Sequence, residues 1–158
     1  MTAADVALSL CVVLAGLWSG LLLTLTTILH PMFRALDGPG FAQEMRRFLP
    51  VARRSPTNWI IVIGLVAAPI AAVSALETGT AGFTLTALGL VACVAGPLLV
   101  SRLLAEPNYD VMLAWDPDAM PAHWEATRRR YFRLNWIRAA ATWAAFMLFV
   151  TAAYTTWA

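Results

Sequence analysis

Four stretches of this chain contain no Asp, Glu, Lys or Arg: residues 6–29, 55–76, 78–101 and 139–158. About 20 residues of α-helix, rising 1.5 Å each, cross a hydrocarbon core of about 30 Å. Every stretch is long enough to do so. In lipid the backbone must satisfy its own hydrogen bonds, which leaves an open chain only the helix. The expected fold is all-α: a transmembrane four-helix bundle of up-down topology, with spans at about 6–29, 59–76, 83–104 and 134–157. The 158 residues read as a single integral membrane domain. A soluble bundle needs a polar face on each helix, and residues 59–75 have none. Charged residues make up only 13% of the chain, against about 25% in ordinary soluble domains. No long polar tail exists to bind nucleic acid.

The first span does not read as a cleaved signal peptide. Residues 1–5 carry an Asp and no basic residue, and the span ends in Leu29-His30-Pro31 rather than at a small-residue cleavage site. The remaining charges fall mostly in two connections. Residues 30–58 hold five Arg against Asp37 and Glu44, and residues 102–138 hold six Arg against five carboxylates. All 11 basic residues thus lie on one side of the four spans. Positive residues in short connections mark the cytoplasmic face. The expectation is a multi-pass protein of the cell membrane, with both long connections cytoplasmic and both termini outside.

In the first connection, Phe41, Met45, Phe48 and Leu49 recur at helical spacing among Glu44, Arg46 and Arg47. This predicts a short amphipathic interfacial helix between the first two spans, at about 40–49, ended by Pro50. In the second connection a helical pattern resumes near Pro121 and runs unbroken to Trp157, so the fourth helix should protrude beyond the bilayer. Trp124, Arg128, Tyr131, Asn135 and Arg138 follow 4-3-4-3 steps along it. They form one stripe, and a stripe of this polarity should face the bundle or a polar cavity. Gly16 and Gly20 form a GxxxG step, and the fourth helix is rich in Ala. Such small-residue faces permit close helix approach and a homodimer. Cys11 and Cys93 lie in apolar spans without ligand spacing and read as small fillers.

Polar groups embedded near a membrane are costly, and so mark sites. In an up-down bundle the cytoplasmic helix ends are neighbours. His30 and Arg34 from the first helix, Asn58 from the second, Asn108 and Glu106 from the third, and Trp124, Arg128, Asn135 and Arg138 from the fourth can therefore surround one pocket. His30, whose ordinary pKa lies near neutrality, is the candidate general base. His123 sits in a more exposed region. Thr26 and Thr27 read as bonding their own helix backbone, and Asn58 as a possible helix N-cap.

Three features recur together in one family: His30-Pro31, Glu106-Pro107-Asn108, and the Trp124, Arg128, Tyr131, Asn135, Arg138 pattern. On them the chain resembles a family of small four-helix membrane proteins, mostly uncharacterised, that includes the fungal anthrone oxygenases. It departs from that pattern at Tyr109, where a second Asn is common, and at Tyr131, where Trp is common. The resemblance implies oxidation of a hydrophobic anthrone- or quinone-like substrate by O₂ without a bound cofactor. His30 would be the base. Arg138 and Asn135, with Arg128 and Asn108, would stabilise an oxyanion. Trp124, Tyr131 and Trp136 would line an aromatic slot, with Asn58 and Arg34 also touching substrate.

Two other classes compete. One is a haem- or metal-dependent redox protein using His30, with His123, Glu106 or Asp110 gathered in space. The other is a non-catalytic membrane scaffold or lipid-interacting protein. It would have a pocket filled by side chains, and Arg138 would pair with Glu106 or Asp110.

Overall fold

The computed structural model describes residues 1–157. Five helices follow in order: α1 (Ala3–Arg34), α2 (Gly38–Arg54), α3 (Pro56–Ala75), α4 (Ala81–Leu113) and α5 (Trp124–Trp157). Four of them, α1, α3, α4 and α5, are long and apolar enough to cross a membrane, and α2 is the shorter helix between the first two spans. The described residues include no strand. The spans form a closed ring in which α1 packs on α3 and α5, and α4 packs on α5 and α3. Outward side chains such as Val13, Leu17, Ile60, Ile63, Val91 and Met147 stay exposed and form the apolar girdle that lipid requires.

Both termini lie at one end of the bundle. Thr2 and Asp5 cap α1 reciprocally, and Trp157 Nε1 donates to Asp5 Oδ1 at 3.0 Å. The short turn between α3 and α4 uses Gly79 at φ +85°, a conformation that costs Gly nothing. Thr80 then caps α4 through the Phe83 N–H.

Small residues set the helix spacing. A Cβ at Gly89 or Gly96 of α4 would overlap Phe149 or Ala141 of α5. In the GxxxG step, a Cβ at Gly16 would lie 3.2 Å from Phe146, whereas one at Gly20 would meet nothing. Ala139, Ala145, Ala152 and Ala153 of α5 are buried within the chain itself.

Two of the spans contain π-helical turns, Leu25–Leu29 in α1 and Val94–Ala105 in α4. The pattern of buried positions explains their effect. Leu22, Thr26 and His30 are all buried although they are spaced by four. A four-residue step overshoots a 3.6-residue turn by about 40°. Two such steps would carry His30 away from the core, but the widened turn absorbs the drift. The His30 N–H accordingly bonds to the Leu25 carbonyl, five residues back. In α4 the buried positions 93, 97, 105 and 109, with half-buried Ser101 between them, likewise advance in steps of four through the π-helical segment.

This widening moves a boundary. The sequence pattern ends the third span near residue 104, yet the helix continues through Pro107 to Leu113. Pro107 falls in the first turn of the α-helical piece that follows the π-helical segment, where its missing N–H costs little. Pro50 does not end α2 either. Its ring keeps a helical φ, and Arg53 anchors the next turn by ion pairs to Glu106 and Asp110. The fifth helix starts at Trp124, and its 34 residues span about 51 Å, beyond one bilayer.

The apolar face of α2 turns toward protein. Phe41, Ala42 and Met45 are fully buried in a second core with Phe33, Met112, Trp115, Tyr131 and Phe132. Arg46 donates to the Trp115 carbonyl, which ties α2 to the connection after α4. The first core lies within the spans, around Leu8, Trp18, Leu22, Leu65 and Phe149. Between the two cores sits the polar cluster described next.

Candidate functional site

Helix α5 delivers the polar stripe inward. Tyr131 and Asn135 are buried on one side of the helix, a register set by the same face that buries Ala139, Thr142 and Ala145. Arg138 is anchored here. Its Nη1 donates to the Tyr109 hydroxyl and to Asn135 Oδ1, both at 3.0 Å. Asn135 Nδ2 lies 3.3 Å from His30 Nε2. The result is a continuous polar chain, His30–Asn135–Arg138–Tyr109, linking α1, α5 and α4.

The chain fixes its own protons. A guanidinium only donates, so Arg138 sets the Asn135 amide with its oxygen toward α4 and its nitrogen toward His30. His30 Nε2 must then accept, which places the imidazole proton on Nδ1. No partner meets Nδ1 among the described residues. The ring itself is clasped by Phe132 and Tyr131, with centroids 4.6 and 5.6 Å away.

Beside this chain lies a cavity of about 930 Å³. Helix α3 packs along α1 and the first half of α4 but barely touches the π-helical half, and the gap is the cavity. Trp18, Leu22, Leu25 and Val62 give it an apolar depth, and Arg53, Arg102, Glu106, Tyr109, Tyr131 and Arg138 give it a polar end. Glu106 is the carboxylate in that lining. The Tyr131 hydroxyl is buried and has no partner among the described residues. Arg53 bridges Glu106 at 2.6 Å and Asp110 at 2.7 Å. Burial opposes its charge, but the Asp110 hydrogen bond and the two carboxylates outweigh it and hold the guanidinium above its ordinary pKa.

The residues expected from the sequence to share one pocket divide among several places. Asn58, Tyr131 and Arg138 line the cavity. His30 and Asn135 are fully buried and stand outside its lining. Asn108 is buried, and its Nδ2 donates to the Thr127 carbonyl at 3.4 Å. Asn58 is not the N-cap of α3. Ser55 holds that position, and the Asn58 side chain donates to the Ala52 carbonyl. Arg34, Arg128 and Trp136 line a separate groove on the far side of Phe132. Trp124 stacks on Arg128, 4.5 Å from the guanidinium carbon. Thr26 and Thr27 bond their own helix carbonyls, as expected.

Glu106, expected in the pocket, lines the cavity, and Tyr109 and Arg53 join it there although the sequence pattern did not single them out. For Tyr109 the sequence signal was the four-residue stepping through α4, hidden by the apparent break at Pro107. No group of three or more His, Cys, Asp or Glu gathers among the described residues to ligate a metal. His30 has Asn135 and aromatic rings around it, and His123 is exposed before α5. This donor set does not fit a metal bound through His30. The chain matches no protein-family model, no curated protein and no solved structure.

Proposed function

We propose that this protein is a membrane oxygenase that oxidises a flat, hydrophobic aromatic substrate of the anthrone type with O₂. One observation carries the reading: a buried polar chain ends, at Arg138 and Tyr109, on an apolar cavity set between two membrane spans. A lipid-soluble molecule can enter such a gap from the bilayer and meet fixed hydrogen-bond donors inside. The resemblance of the helix α5 stripe to the anthrone oxygenases points the same way.

The residues suggest a division of labour. Arg138 and the unpartnered Tyr131 hydroxyl would receive the substrate's carbonyl oxygen, where negative charge develops. Glu106, the cavity-lining carboxylate, would remove a proton from the methylene carbon. The enolate then gives one electron to O₂, the radical pair combines into a carbon-bound peroxide anion, and the proton held by Glu106 returns to give the hydroperoxide. Loss of the second methylene proton, with cleavage of O–O, leaves a carbonyl and releases water. One oxygen atom ends in the product and the other in water, so the four electrons taken up by O₂ are all accounted for.

In this arrangement His30 is a positioning residue. Its Nε2 lone pair is engaged by Asn135, and its ring is walled off by Phe132 and Tyr131. The sequence alone nominated it as base, but Glu106 fits that role better. The scaffold alternative expects a filled pocket and an Arg138–carboxylate pair. Glu106 and Asp110 are instead engaged by Arg53, and the cavity stands open. The arginine-bearing end is assigned to the cytoplasm by the positive-inside rule, with both termini outside.

The test is O₂ uptake with an anthrone by full-length protein in nanodiscs. Glu106→Gln should lower turnover by about 100-fold or more. Asp110→Asn, which removes the other Arg53 partner, should change it only a few-fold. Absence of turnover by the wild type across anthrones would sink the proposal.

A further inference from the structure

The second groove, on the far side of Phe132, has a volume of about 550 Å³ and is lined by Arg34, Arg128, Arg129, Phe132, Arg133 and Trp136. From it we infer a binding site for the phosphodiester headgroup of an anionic phospholipid, between the end of α1 and the start of α5. The inference is independent of any catalysis in the large cavity.

Charge is the first argument. Four guanidinium groups share one groove, and the carboxylate paired among them is Glu125, which bonds Arg129 alone at 3.3 Å. Arg34, Arg128 and Arg133 have no carboxylate within ion-pair distance among the described residues. Three uncompensated cations at one spot repel each other, and an anion relieves that repulsion.

Preorganisation is the second. Arg34 stacks over the Phe132 ring, 5.2 Å from its centroid. Arg128 lies over the Trp124 ring at 4.5 Å and the Phe41 ring at 5.7 Å, and donates to the Leu36 carbonyl at 2.9 Å. These forks are held by aromatic faces and a backbone oxygen, so less side-chain freedom is lost when they bind phosphate.

Depth is the third, and it selects the source. Arg34 is the first charge after the charge-free stretch of α1. Arg133 is the charge nearest the apolar part of α5 once Arg138, which turns inward, is set aside. Trp136 is exposed beside it, as aromatic side chains are at the headgroup level. A groove at this depth meets lipid phosphates, and basic pockets between spans on the cytoplasmic side bind anionic headgroups.

Full-length protein in detergent is titrated with phosphatidylglycerol or phosphatidylcholine of equal chain length, and thermal stabilisation is read. Wild type should respond to phosphatidylglycerol at far lower concentration than to phosphatidylcholine. The Arg34→Gln/Arg133→Gln variant should lose roughly 30-fold of that preference, while Arg47→Gln/Arg54→Gln should keep it. Should the first double variant melt early without lipid, Arg133→Gln alone, at an exposed position, should still lose several-fold. Equal response to the two lipids, or full preference in the Arg34/Arg133 variants, would overturn the site. Displacement of the lipid effect by inorganic phosphate at constant ionic strength, so that general screening is held fixed, would overturn lipid as the source.

Discussion

Arg138 and Tyr131 illustrate how one residue can be separated from its neighbours by experiment. Replacing Arg138 by Gln strands the Tyr109 hydroxyl and Asn135 Oδ1 in a buried setting. Leaving such groups unpaired costs about 1–3 kcal/mol each, so Arg138→Gln should lower the thermal midpoint and also abolish turnover. Tyr131→Phe is the cleaner probe. Its hydroxyl is already unpartnered among the described residues, so removing it should leave the midpoint unchanged or slightly higher. Turnover should nonetheless fall by about 100-fold, the usual loss for one oxyanion donor. A Tyr131→Phe protein with wild-type turnover would separate that hydroxyl from the chemistry. His30→Ala makes a third case. In the proposed arrangement His30 acts through Asn135, so its loss should reduce turnover without abolishing it, whereas loss of a base would leave almost none.

At the scale of the helix, the widened turns decide where side chains arrive, and they also mark where sequence pattern stops being readable. The α5 stripe was legible because α5 is regular: Tyr131, Asn135 and Arg138 obey the 3.6 period and point inward together. The Leu25–Leu29 and Val94–Ala105 segments break that period. A reading at 100° per residue therefore could not place His30 behind Phe132, nor carry α4 through Pro107 to Tyr109. Proline at 50 and 107 looked like punctuation, but each is outweighed locally, by the Arg53 ion pairs in one case and by the helix restart in the other. Of the two glycines in the GxxxG step, Gly16 does pack closely against Phe146 of α5 and Gly20 does not, while the tightest approaches are at Gly89 and Gly96 of α4. Gly89→Ala should push against the fully buried Phe149 ring and cost about 1–3 kcal/mol. Gly20→Ala, with open space around it, should be neutral or stabilising because Ala suits a helix better. Thermal midpoints of the two variants in one detergent check the contrast.

For the whole molecule the distribution of arginine is the governing fact. Every basic residue lies in the end that holds α2, the polar chain, the mouth of the cavity and the arginine groove, while the opposite end holds both termini joined by Trp157 and Asp5. An even number of spans puts both termini on one side, and the positive-inside bias says which side that is. A reporter enzyme active only outside the cytoplasm, fused after Ala158, should be active; the same reporter inserted between Asp116 and Asp118, in the connection before α5, should be silent. Reversal of that pattern would turn the arginine end outward, and the arginine groove would then face the wrong leaflet for cytoplasmic anionic lipid. The proposed oxidation would survive the reversal, because the cavity lies between α3 and the π-helical half of α4 whichever end faces the cytoplasm. Orientation thus tests the lipid site and the topology together, and leaves the oxidation chemistry to be judged by turnover alone.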